Sequence, residues 1–110
     1  MKLLYIFMLL AMISCDKKVI AQGKVVEHDN PQKPIEDVTV ILSVNEVPKD
    51  TVTTDEYGNF RISVISGGFP SDEETVVVKK EGYATLEFGL YDKNPDVQEN
   101  ENGLVVHLKK

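Results

Sequence analysis

Few side chains in this chain belong to the types that chemistry draws on. Cys15 is its one thiol, His28 and His107 are its two imidazoles, and Arg61 is its one guanidinium. A thiol can act as a nucleophile or carry a modification. Imidazoles can hold zinc, but neither histidine stands in a His-Glu-x-x-His arrangement. Asp92-x-Asn94-x-Asp96 copies the first half of a calcium loop. Its sixth position is Val97 where the loop needs Gly, and its twelfth is Gly103 where it needs Glu. No Ser, Cys or Lys has a base placed in a nucleophile motif. The expectation is no catalytic residue, no metal site and no cofactor. The 92–102 stretch is read as a solvated acidic loop, with a weak calcium site as the alternative. His28 is expected on a loop, and His107 on a strand facing solvent.

Cys15 draws its meaning from what precedes it. Lys2 is followed by an apolar run over 3–13, then Ser14, Cys15, Asp16 and two lysines. A basic start, a short apolar stretch and a small residue make a secretory signal. The run is well short of the ~20 residues that span a bilayer. Ile13-Ser14-Cys15 resembles the lipobox of bacterial lipoproteins, although Met12 stands where Leu is usual. That resemblance implies cleavage before Cys15, which would become the first mature residue and carry a diacylglyceryl group. It places the protein in the bacterial cell envelope as a membrane-anchored lipoprotein, with the outer membrane the expected side. Two alternatives remain. An ordinary signal peptide cut near Ser14 or Ala21 would leave a free thiol, and an uncleaved segment would act as a short anchor.

Composition narrows the rest. Cleavage before Cys15 leaves 96 of the 110 residues, enough for one small domain. No second cysteine exists to form a disulfide. Lys2 is the only charge in the leader, so the net charge moves from −6 to −7 on its removal. An acidic chain without a basic stripe excludes nucleic acid as the expected partner and disfavours docking on anionic lipid.

The elements that must position these residues read as strands. Residues 16–18 form a tether. Strands are expected over 19–27, 38–44, 50–54, 60–64, 75–80, 83–88 and 104–108, from β-branched content and period-two alternation. Gly23 suggests a bulge in the first strand. Val38, Val40 and Leu42 share one face, as do Phe60, Ile62 and Val64. Turns are expected at 47–49, at Asp55-Glu56-Tyr57-Gly58 and at Gly82. In the second of these, Asp accepts from backbone and Gly supplies positive φ. Residues 66–72 read as a flexible loop. Seven short strands without a helix signal make an all-β, seven-stranded Greek-key β-sandwich the expected fold.

Gly23-Lys24-Val25, Pro34-Ile35-x-Asp37-Val38-x-Val40, Thr53-Thr54-Asp55-x-x-Gly58-x-Phe60-x-Ile62 and Val78-x-Lys80-x-Gly82-Tyr83 together resemble a carboxypeptidase regulatory-like domain. The resemblance covers about residues 19–90 and implies a transthyretin-like (prealbumin-like) sandwich over 19–110, with 1–14 the signal and 15–18 the lipidated cysteine and tether. It makes Asp55, Gly58, Phe60, Gly82 and Tyr83 structural motif residues. Asp37 stands where the family usually has Gly, and Asp tolerates positive φ better than most residues. Such domains are not themselves catalytic.

Among the aromatics, Phe60 and Phe88 are expected in the core. Tyr83 is expected to pack under a corner with its hydroxyl bonded to backbone. Tyr57 and Phe69 fall on loops, where an exposed ring could meet a partner. The expected function is a lipid-anchored, non-catalytic module that binds a protein or carbohydrate or acts structurally. The alternatives are a transthyretin-like hydrolase, which the absent Tyr-Arg-Gly-Ser ending disfavours, and a soluble secreted ligand-binding domain.

Overall fold

The computed structural model describes residues 17–66 and 73–110. The leader, Cys15, Asp16, Phe69 and nearly all of the expected 66–72 loop lie outside them. Eight strands follow one another: β1 (Lys17–Glu27), β2 (Thr39–Val44), β3 (Val47–Thr53), β4 (Asn59–Ser66), β5 (Glu74–Lys79), β6 (Leu86–Gly89), β7 (Val97–Asn100) and β8 (Gly103–Leu108). They form two four-stranded sheets, ordered β4-β1-β8-β7 and β3-β2-β5-β6, with no helix among the described residues. All ladders are antiparallel except β1–β8, which is parallel from Gly23–Leu104 to Glu27–Leu108.

The sandwich follows from alternation. On β2, Val40 and Leu42 are fully buried, and Val38 just before it is too. Val76 and Val78 of β5 face them from the same sheet. Val19, Ala21 and Val25 of β1, Phe60 and Ile62 of β4, and Val106 and Leu108 of β8 supply the opposing layer. Each such side chain contributes roughly 1.5–3 kcal/mol by leaving water, apart from the smaller alanine. Most are β-branched, and these suit a pleated surface.

Four expectations are corrected. The turn before β3 is at Asn45 and Glu46, with φ of 52° and 68°, and residues 47–49 belong to the strand. Two positive φ values at a two-residue hairpin match the right-handed twist of the flanking strands. Pro48 is tolerated because β3 is an edge strand. The register slips between Leu42–Asp50 and Ser43–Pro48, so Lys49 is the extra residue of a bulge.

The acidic stretch 92–102 is not all loop. Its residues Val97–Asn100 form β7, an exposed edge paired with β8, which raises the strand count from seven to eight. The 83–88 strand begins only at Leu86, because Ala84 gives its amide to the Lys109 carbonyl at 2.7 Å and not to a neighbouring strand. Gly23 carries no bulge, since its register with both neighbours is continuous. A Cβ there would run into the Leu104 backbone, so close approach of β8 is the reason for glycine.

Candidate binding cleft

The two sheets do not close evenly. β6 ends one sheet and β7 the other, and the chain between them crosses the gap. A surface cleft of about 590 Å³ lies along that gap, with Phe88, Leu90, Val97 and Leu104 as its apolar lining. Tyr91, Asp92, Lys93 and Glu99 supply aromatic and charged groups at its mouth. The connection is held by backbone bonds. Leu90 donates to the Glu74 carbonyl at 2.9 Å, and Asp92 donates to that of Gly89 at 3.1 Å. A Cβ on Gly89 would strike the Asp92 carboxylate, so the glycine lets that side chain fold over the backbone. Tyr91 is 68% exposed.

The calcium-like half-loop forms the next stretch of wall, and the side chains of Asn94 and Asp96 are otherwise engaged. Asn94 Oδ1 accepts the Asp96 amide at 2.9 Å in an Asx turn. The Asp96 carboxylate points to His28 Nε2 at 3.7 Å and to Lys109 Nζ at 3.8 Å. Among the described residues no three His, Cys, Asp or Glu side chains are grouped to hold a metal.

The two histidines are brought together. Their rings meet edge to face with centroids 6.5 Å apart. His28 is on its loop, with Nδ1 3.1 Å from Asp29 Oδ1. His107 departs from expectation, because its Nε2 is buried and has no hydrogen-bond partner. His107 is opposite Val26, which is itself only 2% exposed, and the His28 ring lies against His107 on that face. The 28–35 loop therefore folds over that part of the sheet.

The motif residues serve the far rim. Asp55 Oδ1 accepts the amides of Tyr57 and Asn59, both at 2.9 Å, and the Asp55 carbonyl accepts the Gly58 amide at 2.9 Å. Gly58 and Gly82 have φ of 77° and 90°, and Asp37 has 59°. Phe60 is buried in the core. Tyr83 is half-buried against the core, with Lys110 Nζ 5.8 Å over its ring. No hydroxyl-to-backbone bond joins Tyr83 among the described residues. Lys110 also reaches Glu27 at 3.2 Å, and Lys33 reaches it at 3.1 Å. The hydrogen bond from Lys33 is the main reason that the Glu27 carboxyl titrates below its ordinary value; burial, next in size, opposes it, and Lys110 adds to the lowering. The same pair raises Lys110.

Sequence reading missed the cleft and Thr54. Thr54 is buried, donating to the Ile35 carbonyl at 2.7 Å and accepting the Val38 amide at 3.0 Å. Its place within the Thr-Thr-Asp-x-x-Gly motif was the available signal. For the cleft it was Tyr91 standing against the polar run 92–96.

Two sheets sharing one core, with an open gap between β6 and β7, define an all-β sandwich. No family model matches the chain, and no curated protein does. Among solved structures, it matches the crystal structure of a 3-chlorocatechol 1,2-dioxygenase from Rhodococcus opacus 1CP, with a TM-score of 0.49 and 18% identity over 84% of this chain. The match spans 57% of that chain. A likeness of that size says nothing about the chemistry of this protein.

Proposed function

We propose that this protein is a lipid-anchored envelope protein whose single sandwich is a non-catalytic binding module of the carboxypeptidase regulatory-like kind, with a transthyretin-like Greek-key connectivity. The anchor rests on Ile13-Ser14-Cys15 behind the apolar run. Binding rests on one observation, the cleft beside Tyr91. Its volume of about 590 Å³ falls within the roughly 300–1,000 Å³ of ligand sites. An exposed aromatic ring bordered by carboxylates, an ammonium and an apolar floor suits a hydroxylated ligand. The ring packs on the apolar face of a sugar, and the charged groups meet its hydroxyls. A glycan is the ligand we assign to it.

A glycan array probed with the full lipidated chain and its Tyr91→Ala variant tests this. Binding to a glycan class that falls at least about tenfold in the variant, a change of ~1.4 kcal/mol, supports the reading. Glycan binding that Tyr91→Ala leaves intact moves the site elsewhere. No glycan binding overturns the carbohydrate assignment. The anchor is read separately, from the N-terminal mass of the wild type and of Cys15→Ala after feeding a palmitate analogue. An unmodified wild-type product would remove the anchor.

A further inference from the structure

Exposed apolar side chains are unevenly distributed on this sandwich. Ile20, Val47 and Ile65 are 42, 52 and 71% exposed, and all three lie toward the end where β1 begins. Register shows it. Lys17 is opposite Ser66 and Lys18 opposite Ile65, while Val47 follows the turn whose Asn45 amide bonds the Glu73 carbonyl at 2.8 Å. Ile20 is opposite Ser63, which makes Ile20 and Ile65 diagonal neighbours on one face of the β1–β4 pair. Tyr91 borders the same end, sharing a concavity with Ile20. Tyr57, the remaining large apolar side chain left exposed among the described residues, is at the opposite end, in the turn between β3 and β4.

The same end is where a lipid on Cys15 would be. Cys15 and Lys17 are two positions apart, with Asp16 between them, a reach of at most ~7 Å even when extended. A sandwich held that closely cannot turn this end far from the bilayer. Ile65 and Ile20 therefore meet the membrane–water boundary or remain against it in water. Branched aliphatic side chains are stabilised by entering that boundary. Charge selects the lipid. Glu46, Glu73, Asp92 and Glu99 are exposed around this end, against Lys18, Lys49 and Lys93. This mixed, slightly acidic rim is no basic patch for an anionic surface.

We propose that Ile20, Ile65 and Val47 form a docking face for a zwitterionic bilayer surface, which orients the sandwich on the membrane and opens the cleft at headgroup level. The inference rests on the reading of Cys15 as lipidated. The chain has no tryptophan, so single substitutions give unique probes. Ile65→Trp, Val47→Trp and Tyr57→Trp are made in the full lipidated chain and reconstituted into phosphatidylcholine vesicles with and without brominated acyl chains.

The expected result is quenched, blue-shifted emission from Ile65→Trp and Val47→Trp, and unchanged emission from Tyr57→Trp. Raising the salt should leave the quenching in place, as apolar insertion requires. Equal quenching of all three, or quenching lost in salt, overturns the docking face. Flotation of the same samples and the mass of their N-terminus separate the two failures. A chain that floats and is acylated but gives no quenching refutes docking and leaves the anchor standing. An unacylated chain that does not float refutes the anchor, and docking with it. Should Ile65→Trp fail to fold, Val47→Trp carries the test.

Discussion

Gly58 touches Val25 twice. Its carbonyl accepts the Val25 amide at 2.9 Å, and the place where a Cβ would sit is 2.5 Å from the Val25 carbonyl oxygen. The turn between β3 and β4 is thereby pressed against β1, with Pro34 next to it. Gly82 has a similar positive φ but open space around it. Gly82→Ala should cost only the left-handed backbone penalty, about 1–2 kcal/mol. Gly58→Ala should cost clearly more, because it adds a collision with backbone. Gly58→Asn relieves the φ strain and not the collision, so it should remain worse than Gly82→Asn. Chemical denaturation midpoints of the four variants rank them, and equal losses at the two positions would remove the packing argument.

Thr54 ties the entry of β2 to the exit of β3. Its hydroxyl serves Ile35 and Val38 at once, and the residue is buried. Thr54→Val keeps the shape and strands a carbonyl and an amide, at about 1–3 kcal/mol for each group left unpaired. Thr54→Ser keeps both bonds and should lose much less. Thermal unfolding of the two side by side decides it, with a Ser variant as damaged as the Val variant counting against the hydrogen bonds.

Glu27 sets an acid response. Its carboxyl is held below its ordinary 4.5 by Lys33 and Lys110. A depressed carboxylate contributes stability that is complete above its unfolded pKa and fades as pH falls through the folded one. Wild type should therefore lose part of its stability on acidification below about pH 4.5. Glu27→Gln should start less stable at neutral pH and fall less over that window. Urea midpoints across the range test it, and parallel curves for the two proteins would show that the pairs contribute nothing.

Phe60 fills the layer between β4 and the opposite sheet at 6% exposure. Phe60→Ala should cost about 3–5 kcal/mol, a large part of a small domain's stability. An unchanged melting temperature would place the ring outside the core.

The parts of this fold legible from sequence are those whose signals are local. Val38, Val40 and Leu42 alternate because one face is buried, and Asp55 with Gly58 marks a turn whose bonds lie within five residues. β7 escaped because Val97 is its one half-buried residue, and its polar remainder becomes a strand only by pairing with β8. The Asn45–Glu46 turn escaped because Glu is an unusual residue at positive φ, while Pro48 two positions later looked like the break. His107 looked solvent-facing until the 28–35 loop covered its side of the sheet. The cleft was illegible for a similar reason. Leu90, just past β6, and Leu104 of β8 both line it, and no window of sequence contains both.

β8 joins β1 only from Gly23 onward, so among the described residues Lys17 to Gln22 are paired with β4 alone. Tension arriving through the N-terminus would act on two unlike seams. Along Lys17 to Gln22 only the rungs to β4 resist it, and from Gly23 onward the rungs to β8 are added. The first six residues of β1 thus make a compliant leader that yields before the core does, lengthening the tether under strain and re-pairing when the strain is released.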